Sequence, residues 1–282
     1  HTGMSTLGIS TSKILRVNTQ NFEETNDLLV KEEPLEIRIG YGQETKREEF
    51  SLAITMRTPG ADEELARGFL LSEGIVKSST DILSAKYCMQ AKQPENTLKV
   101  ELKNGTPFDP EKFRRNFYAS SSCGVCGKAS LDMITSDIPA SKNNPLKVTK
   151  KTILQLTQQL KNHQSTFKYT GGLHAAALFD SNGELLVLRE DIGRHNALDK
   201  LIGVGSMKKI DLSQTILWLS GRLGFEMVQK SAMAGIQVIA ALGAPSNLAV
   251  DLAQQSKKTL VGFLKKDSFN IYSGKENVLL DQ

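Results

Sequence analysis

The last third of the chain contains three short apolar segments that are separated by segments with helical spacing. TILWLSG (215–221), QVIAALG (237–243) and TLVGFLK (259–265) read as buried strands, and EMVQKSAMAG and SNLAVDLAQQSKK read as the helices between them. Strands that alternate with helices lie parallel in one sheet, and the helices cover both of its faces. The pattern therefore predicts a three-layer α/β/α domain.

The segments just upstream extend this predicted domain. Residues 173–180 and 184–191 read as two strands joined by an SNG turn, which is typical of a hairpin. One helix is expected before them, over 152–161, and another after Gly193.

The first half has a different pattern and predicts a smaller mixed α+β domain. Three segments are strand-like, and a helix is expected between Asp62 and Gly74. The strand-like segments are 35–39, 49–56 and 98–103. We predict an N-terminal domain over 12–118, a loop with a short helix and a linker over 119–147, and the α/β/α domain over 148–282.

Length, charge and cysteine content limit the class of protein. The chain has 282 residues, which suggests about two domains at roughly 150 residues each. Three cysteines do not make a disulfide framework, no apolar run approaches the ~18 residues of a membrane span, and no signal peptide is evident. The net charge of +4 is mildly basic and is compatible with small anionic ligands. We expect a cytoplasmic protein that binds neither nucleic acid nor membrane.

Three loops follow the predicted parallel strands and should share the carboxyl edge of the sheet, where ligands bind in such folds. Their small residues let a ligand approach the backbone, and their cations can pair with phosphate oxygens. Taken singly, each loop has the composition of an ordinary turn, but three on one edge favour a pocket. The candidate ligand-binding residues are Ser220, Gly221, Arg222, Ser246, Phe263, Leu264, Lys265, Lys266, Asp267 and Ser268.

The segment REDIGRHNALDK (189–200) concentrates ionisable groups at a strand-to-helix turn. Asp191, Arg194, His195 and Asn196 could bind an anion or hold a proton-transfer group. They could equally form a capped helix start held by salt bridges. His174, in a strand of small residues, reads first as a structural histidine.

Cys123 and Cys126 stand two residues apart among serines and glycines, in a stretch without acidic residues. Basic neighbours and a predicted helix start just downstream favour a thiolate by lowering the thiol pKa. Cys88 follows a strand-like segment and is interpreted as a core residue. The open alternatives for the pair are a zinc site, a dithiol redox site, a sulfur-transfer nucleophile and an inert turn.

Zinc is the weakest of the functional alternatives. A closed site needs four ligands, and the chain has no second Cys-x-x-Cys. A deaminase-type site needs His-x-Glu, whereas Ala176 stands two residues after His174. A dithiol redox site of the thioredoxin type is also disfavoured. It would follow the first strand of a βαβ unit, whereas Cys123 and Cys126 lie between the two halves. We therefore expect no bound zinc and favour sulfur transfer through a persulfide.

Several long motifs, in the same order, resemble the formate dehydrogenase accessory sulfurtransferase (FdhD) family. They are TPGADEELARGFLLSEGI, SSSCGVCGK, REDIGRHNALDKLIG, SGRLGFEMVQKSAMAGI and TLVGF, and the resemblance spans roughly residues 34–273. It implies a cytidine deaminase-like second domain and a homodimer. It also implies that sulfur is taken from a cysteine desulfurase and transferred to the bis-molybdopterin guanine dinucleotide cofactor of formate dehydrogenase.

The resemblance assigns roles to individual positions. Cys123 matches the persulfide carrier, Cys126 its partner, and Phe263 to Ser268, which read FLKKDS, match the segment that binds the guanine nucleotides of the cofactor. Two other functions stay open. One is a cytosolic dithiol oxidoreductase, and the other is a cofactor chaperone without sulfur chemistry, which would not need the sulfur of Cys123.

Overall fold

A computed structural model of the chain describes residues 8–114, 137–140, 144–161 and 172–281. Within these ranges it has α-helices that we number α1 to α6. They are Asp62–Ser72 (α1), Glu111–Arg114 (α2), Lys150–Leu160 (α3), Arg194–Met207 (α4), Phe225–Met233 (α5) and Asn247–Gln255 (α6). No helix in these ranges is long and apolar enough to cross a membrane.

The strands in the described ranges fall into four sheets. Those before α3 are Ile9–Val17 (β1), Phe22–Val30 (β2), Glu33–Gln43 (β3), Lys46–Arg57 (β4), Ile82–Tyr87 (β5), Thr97–Leu102 (β6) and Val148–Thr149 (β7). Those after α3 are His174–Phe179 (β8), Leu185–Asp191 (β9), Ile216–Leu219 (β10), Val238–Ala241 (β11), Thr259–Gly262 (β12), Asn270–Ser273 (β13) and Val278–Leu279 (β14).

The second half is built on one six-stranded sheet with the order β13-β12-β11-β10-β8-β9. The pairs β10–β11 and β11–β12 are parallel, and β8–β9 is an antiparallel hairpin, as the sequence predicts. Residues alternate between the two faces: Leu217 and Leu219 pack with α4, α5 and α6, whereas Ile216 and Trp218 pack with α3. Helices thus cover both faces of the sheet. Both faces need cover because all four residues of each of β10, β11 and β12 are buried. Likeness to cytidine deaminases stays a prediction.

The first half is a four-stranded sheet, β4-β3-β6-β5, with α1 on one face. Leu35, Ile37 and Ile39 alternate towards α1 and are fully buried. The predicted strands and helix are confirmed here. The sequence reading missed the hairpin of β1 and β2, whose residues are mostly exposed and carry no continuous buried face.

The two halves are joined where α1 crosses α4 at two glycines. A Cβ on Gly68 would overlap the backbone of Asp199, and a Cβ on Gly203 would overlap the backbone of Glu64. Only glycine lets the helix backbones approach this closely, so the crossing fixes the position of α4 against the first half.

The segment read as a linker is partly built into the fold. The Leu146 amide donates to Oε1 of Gln237 at 3.1 Å, and Leu146 and Val148 are buried against the α3 face of the sheet. The proposed domain limits stay a prediction. Cys123, Cys126 and the short helix expected after them lie outside the described residues.

Candidate functional site

The three loops predicted to share one edge of the sheet lie against one another. The Gly243 amide donates to the Gly221 carbonyl at 3.2 Å, and the Phe263 amide donates to the Gly243 carbonyl at 3.1 Å. A Cβ on Gly243 would overlap the backbone of Gly221 and Arg222. The predicted placement is confirmed, and Gly243 is what permits the close approach.

The two serines of these loops have structural hydrogen bonds. The Ser220 hydroxyl accepts from the Ala175 amide at 2.9 Å and joins the loop after β10 to β8. Ser246 is the N-cap of α6, as predicted, and its hydroxyl accepts from the Ala249 amide at 3.1 Å. Both hydroxyls therefore hold the loops in place, and direct ligand contact by either stays a prediction.

The segment Phe263–Ser268 forms a compact turn after β12. The Lys265 amide donates to the Ser268 carbonyl at 2.8 Å, and the side chains of Lys265, Lys266, Asp267 and Ser268 are exposed. Phe263 has a φ of 50°, a backbone conformation that is strained for a residue with a side chain, and its ring is 43% exposed. Leu264 is buried in the core, so its side chain is not accessible to a ligand, contrary to its place among the predicted contacts.

Asp191, at the end of β9, is a buried structural hub. Its carboxylate accepts from the amides of Thr58 and Gly193 at 3.0 and 2.8 Å and pairs with Lys200 Nζ at 2.7 Å. Since Thr58 follows β4, this one side chain ties the first half to the β9–α4 turn. The sequence left open whether this turn is an anion site or a helix start held by salt bridges. For Asp191, the second interpretation is correct.

Asn196 is also structural. Its amide nitrogen donates to the Met56 carbonyl at 2.8 Å, and its side-chain oxygen accepts from the Thr55 hydroxyl at 3.1 Å. Both of these partners belong to β4, so Asn196 fixes the start of α4 against the first sheet. Both polar atoms of its side chain have these structural partners, and a ligand contact by Asn196 stays a prediction.

Arg194 and His195 begin α4 and lie near the loop edge. His195 Nε2 lies 2.8 Å from a carboxylate oxygen of Glu226, and this hydrogen bond lowers the pKa of Glu226. Arg194 Nε is buried and has no hydrogen-bond partner among the residues that the structure describes. An unsatisfied buried guanidinium nitrogen is costly, and it suits a site that receives an anion.

His174 lies beside the loop after β10, next to this edge, although its sequence context indicated mainly a structural role. It is the first residue of β8, opposite Asp191 on β9, and a Cβ on Gly221 would come within 3.3 Å of its Nδ1. Burial lowers its pKa, Arg194 lowers it further, and Asp191 acts in the opposite direction. The sequence feature that could have indicated a site role for His174 is its position at the start of the predicted strand that pairs with the REDIGRHN strand.

Comparison with known proteins identifies the family. The sequence profile of the FdhD/NarQ family matches residues 30–279. The chain belongs to this family. The FdhD resemblance found in the sequence is thereby confirmed.

Relatives of the FdhD/NarQ family cover nearly the whole chain. A protein of Streptomyces coelicolor is 45% identical over 95% of this chain and 95% of its own length. One of Mycolicibacterium paratuberculosis is 47% identical over 89% of this chain and 92% of its own, and one of Sulfurisphaera tokodaii is 42% identical over 95% and 98%. All three are named sulfur carrier protein FdhD.

A solved structure has the same fold. The crystal structure of a candidate formate dehydrogenase accessory protein from Desulfotalea psychrophila superposes with a TM-score of 0.73, covers 96% of this chain and 99% of its own, and is 22% identical. At this identity the likeness concerns the fold alone. It supports the mixed α/β architecture of this FdhD/NarQ family member.

Cys88 is not the core residue that the sequence suggested. It follows β5, is only partly buried, and lines a surface hollow of about 540 Å³ together with Arg38, Glu49 and Lys99. The strand ends at Tyr87, and the chain then turns at the surface. Burial raises the pKa of the Cys88 thiol, so this cysteine is a poor thiolate at neutral pH.

No cluster of three or more metal-ligating side chains occurs in the part of the chain that the structure describes. Because Cys123 and Cys126 lie outside that part, the expectation that they bind no zinc stays a prediction. Ion pairs that the sequence did not reveal hold the two halves together. They include Lys230–Glu73 at 2.7 Å and Arg189–Glu64 at 2.6 Å.

Proposed function

We propose that this chain is a sulfur carrier that supplies sulfur to the molybdenum cofactor of a formate dehydrogenase. The observation that supports this proposal is that the chain belongs to the FdhD/NarQ family and that relatives named sulfur carrier protein FdhD align over nearly the whole chain. The donor would be a cysteine desulfurase, and the acceptor the bis-molybdopterin guanine dinucleotide cofactor as substrate. The protein would act as a cytoplasmic homodimer.

The first chemical step is persulfide transfer to Cys123. Its thiolate attacks the outer sulfur of the desulfurase persulfide, a new S–S bond forms on Cys123, and the desulfurase cysteine leaves as a thiolate. One sulfur atom moves and there is no net oxidation or reduction. Cys123 suits this step because its sequence neighbours are basic, small and polar, which favours an accessible thiolate.

The second step delivers the sulfur. The Cys126 thiolate attacks the inner sulfur of the Cys123 persulfide, a Cys123–Cys126 disulfide forms, and hydrosulfide leaves towards the metal of the cofactor. The sulfane sulfur is reduced by two electrons while the two cysteines are oxidised. A dithiol reductant must then reopen the disulfide before the next cycle.

The acceptor would be held at the loop edge of the six-stranded sheet. Its guanine nucleotides carry pyrophosphates, and Arg194, Arg222, Lys265 and Lys266 place four cations on or beside this edge. Arg222 and the two lysines are exposed, as a binding surface for a polyanion requires. Gly221 and Gly243 leave the backbone of the edge open to approach.

Intact-mass measurement tests the sulfur-carrier role directly. After incubation with a cysteine desulfurase and cysteine, the protein should gain the mass of one sulfur atom, and a reductant should remove it. Cys123→Ala should gain nothing, whereas the matched Cys88→Ala should load normally. A Cys123→Ala protein that still carries the adduct refutes the assignment. If the wild-type protein never gains sulfur, the remaining interpretation is a cofactor chaperone. If it only cycles between dithiol and disulfide, the remaining interpretation is an oxidoreductase.

Calorimetry with GDP tests the nucleotide site. Replacing both Lys265 and Lys266 by alanine should weaken binding by about tenfold or more, because two phosphate contacts are lost. Lys208 and Lys209, an exposed pair at the opposite end of α4, provide the matched control and should have no effect when replaced. Equal affinities for both double variants would remove Lys265 and Lys266 from the site.

A further inference from the structure

We infer that His174 takes up a proton when a diphosphate group binds at the loop edge of the six-stranded sheet, so that its imidazolium becomes part of the anion site. The inference rests on the proposed function, because the pyrophosphates of the guanine nucleotides are the source of such a group. It adds a residue and a dependence on pH that the sulfur-carrier role does not require.

His174 lies between the β9–α4 turn and the loop after β10. Its register partner is Asp191, where the β9–α4 turn begins. On its other side, β10 pairs with β8, and the Ser220 amide donates to the Ala175 carbonyl at 3.0 Å. Gly221 therefore stands beside His174, and the missing Cβ of Gly221 leaves room for the ring.

Charges reach His174 from both loops, and most are positive. The two cations are Arg194, in the β9–α4 turn, and Arg222, in the loop after β10. His195 stands next to Arg194 in that turn, and Asp191 is the anion among the groups that act on the ring. His174 is only partly buried, so an anion bound among these residues can reach it.

The nearby negative charges are already engaged by other partners. The Asp191 carboxylate accepts two backbone amides and pairs with Lys200, and Glu226 is hydrogen-bonded to His195. Among the described residues neither Arg194 nor Arg222 has an ion pair, and Arg194 Nε has no acceptor. The cations of Arg194 and Arg222 thus make this edge electropositive.

This environment sets the protonation of the ring. Burial and the nearby cations lower the pKa of His174 from its ordinary value of about 6.5, so the ring is neutral at pH 7. A phosphate oxygen beside it favours the imidazolium and raises that pKa. Binding then takes up protons, and affinity increases as the pH falls. A rise of one pKa unit corresponds to about a tenfold gain in affinity over the full titration.

Calorimetry in buffers with different heats of ionisation measures this proton uptake. The full-length protein is titrated with inorganic pyrophosphate and with GDP, between pH 6 and 8, as wild type and as His174→Gln. Protons released or bound by the ligand itself cancel in the difference between the two proteins. We expect uptake of up to one proton in wild type that is absent in His174→Gln, and a wild-type affinity that gains up to about tenfold more than that of the variant as the pH falls.

His195→Gln is the matched control and should retain the proton uptake. NMR titration of the histidine ring protons in wild type avoids any dependence on the variants folding. The His174 pKa should lie below its ordinary value in the free protein and rise when pyrophosphate or GDP is added. Uptake with both ligands shows that a diphosphate suffices, and uptake with GDP alone shows that the nucleoside is needed to place it. Either result supports the inference.

Three results would overturn it: binding without a shift in the His174 pKa, loss of uptake in His195→Gln but not in His174→Gln, or no binding of either ligand. Desulfurase loading, measured by mass on the same protein sample, separates this failure from that of the proposed function. A protein that loads sulfur and binds GDP without proton uptake is still a sulfur carrier, and only the role of His174 is lost.

Discussion

Replacing Asp191 by asparagine should show how strongly one buried carboxylate holds the candidate site together. Asp191 is fully buried, and it accepts the Thr58 and Gly193 amides and the Lys200 ammonium. Asparagine keeps the size of the side chain but removes its charge. Lys200, which is 2% exposed, then loses its counter-ion and keeps only neutral acceptors such as the Thr58 carbonyl at 2.9 Å.

The expected cost follows from the buried charge that remains. Removing one member of a buried ion pair typically costs about 3–5 kcal/mol, because the other charge stays desolvated. At about 2 °C per kcal/mol for a chain of this size, the melting temperature should fall by about 6–10 °C. Since Asp191 also fixes the amide of Gly193, just before Arg194, GDP affinity should fall as well.

A double-mutant cycle with Lys200→Met is the appropriate assay, measured by urea unfolding. The double variant should be more stable than Asp191→Asn alone, because no uncompensated charge remains buried. Asp180→Asn is the matched control: its carboxylate also accepts two backbone amides, at 2.9 and 3.0 Å, but in an exposed turn. It should cost less than about 1 kcal/mol. An Asp191→Asn cost no larger than that of Asp180→Asn, or no rescue by Lys200→Met, would refute the reasoning.

Three further predictions concern the helix crossing, acid stability and thiol reactivity. Gly68→Ala should destabilise the protein by about 2 kcal/mol in denaturant unfolding. The steric cost against the α4 backbone, about 3 kcal/mol, exceeds the helix-propensity gain of about 1 kcal/mol. Gly205→Ala is the control and should cost less, because its Cβ would meet only leucine side chains. At pH values above the ordinary pKa of Glu226, His195→Gln should lower the stability of the protein by a fraction of a kcal/mol. The difference from wild type should vanish as the pH falls through the lowered pKa of Glu226 in the folded protein, because the Glu226 carboxylate is then protonated in both proteins. Alkylation of Cys88 at pH 7, followed by mass in a variant that lacks the other two cysteines, should be slower than that of a free thiol, and equal rates would contradict the raised pKa.

Local patterns in the sequence predicted most of the second half. The apolar strands of β10, β11 and β12 have a composition that only a doubly covered parallel sheet can bury. Ser246 was predicted as an N-cap because capping depends on the residue itself and the next few amides. The shared edge of the three loops followed from the same alternation, since parallel strands end on one side of the sheet.

The sequence could not assign roles within the REDIGRHN segment. Asp191, Arg194, His195 and Asn196 lie close together along the chain, but their partners come from β4, α5 and Lys200. Long-range pairing made Asp191 and Asn196 structural and left Arg194 Nε without a hydrogen-bond partner among the described residues. Residue types alone cannot distinguish these outcomes, because a buried ion pair and an anion site use the same side chains.

By itself, the sequence determined the family, the order of most strands and helices and the Cys123–Cys126 motif, since each depends on residues that are neighbours along the chain. The tertiary structure alone decided which ionisable groups are neutralised. Cys88 lies at a surface hollow, and His174 lies among cations from two loops, because strand pairing and the contact of Gly68 with α4 bring distant residues together. Burial and the charges of those neighbours set the pKa of each group, and neither is encoded in local spacing.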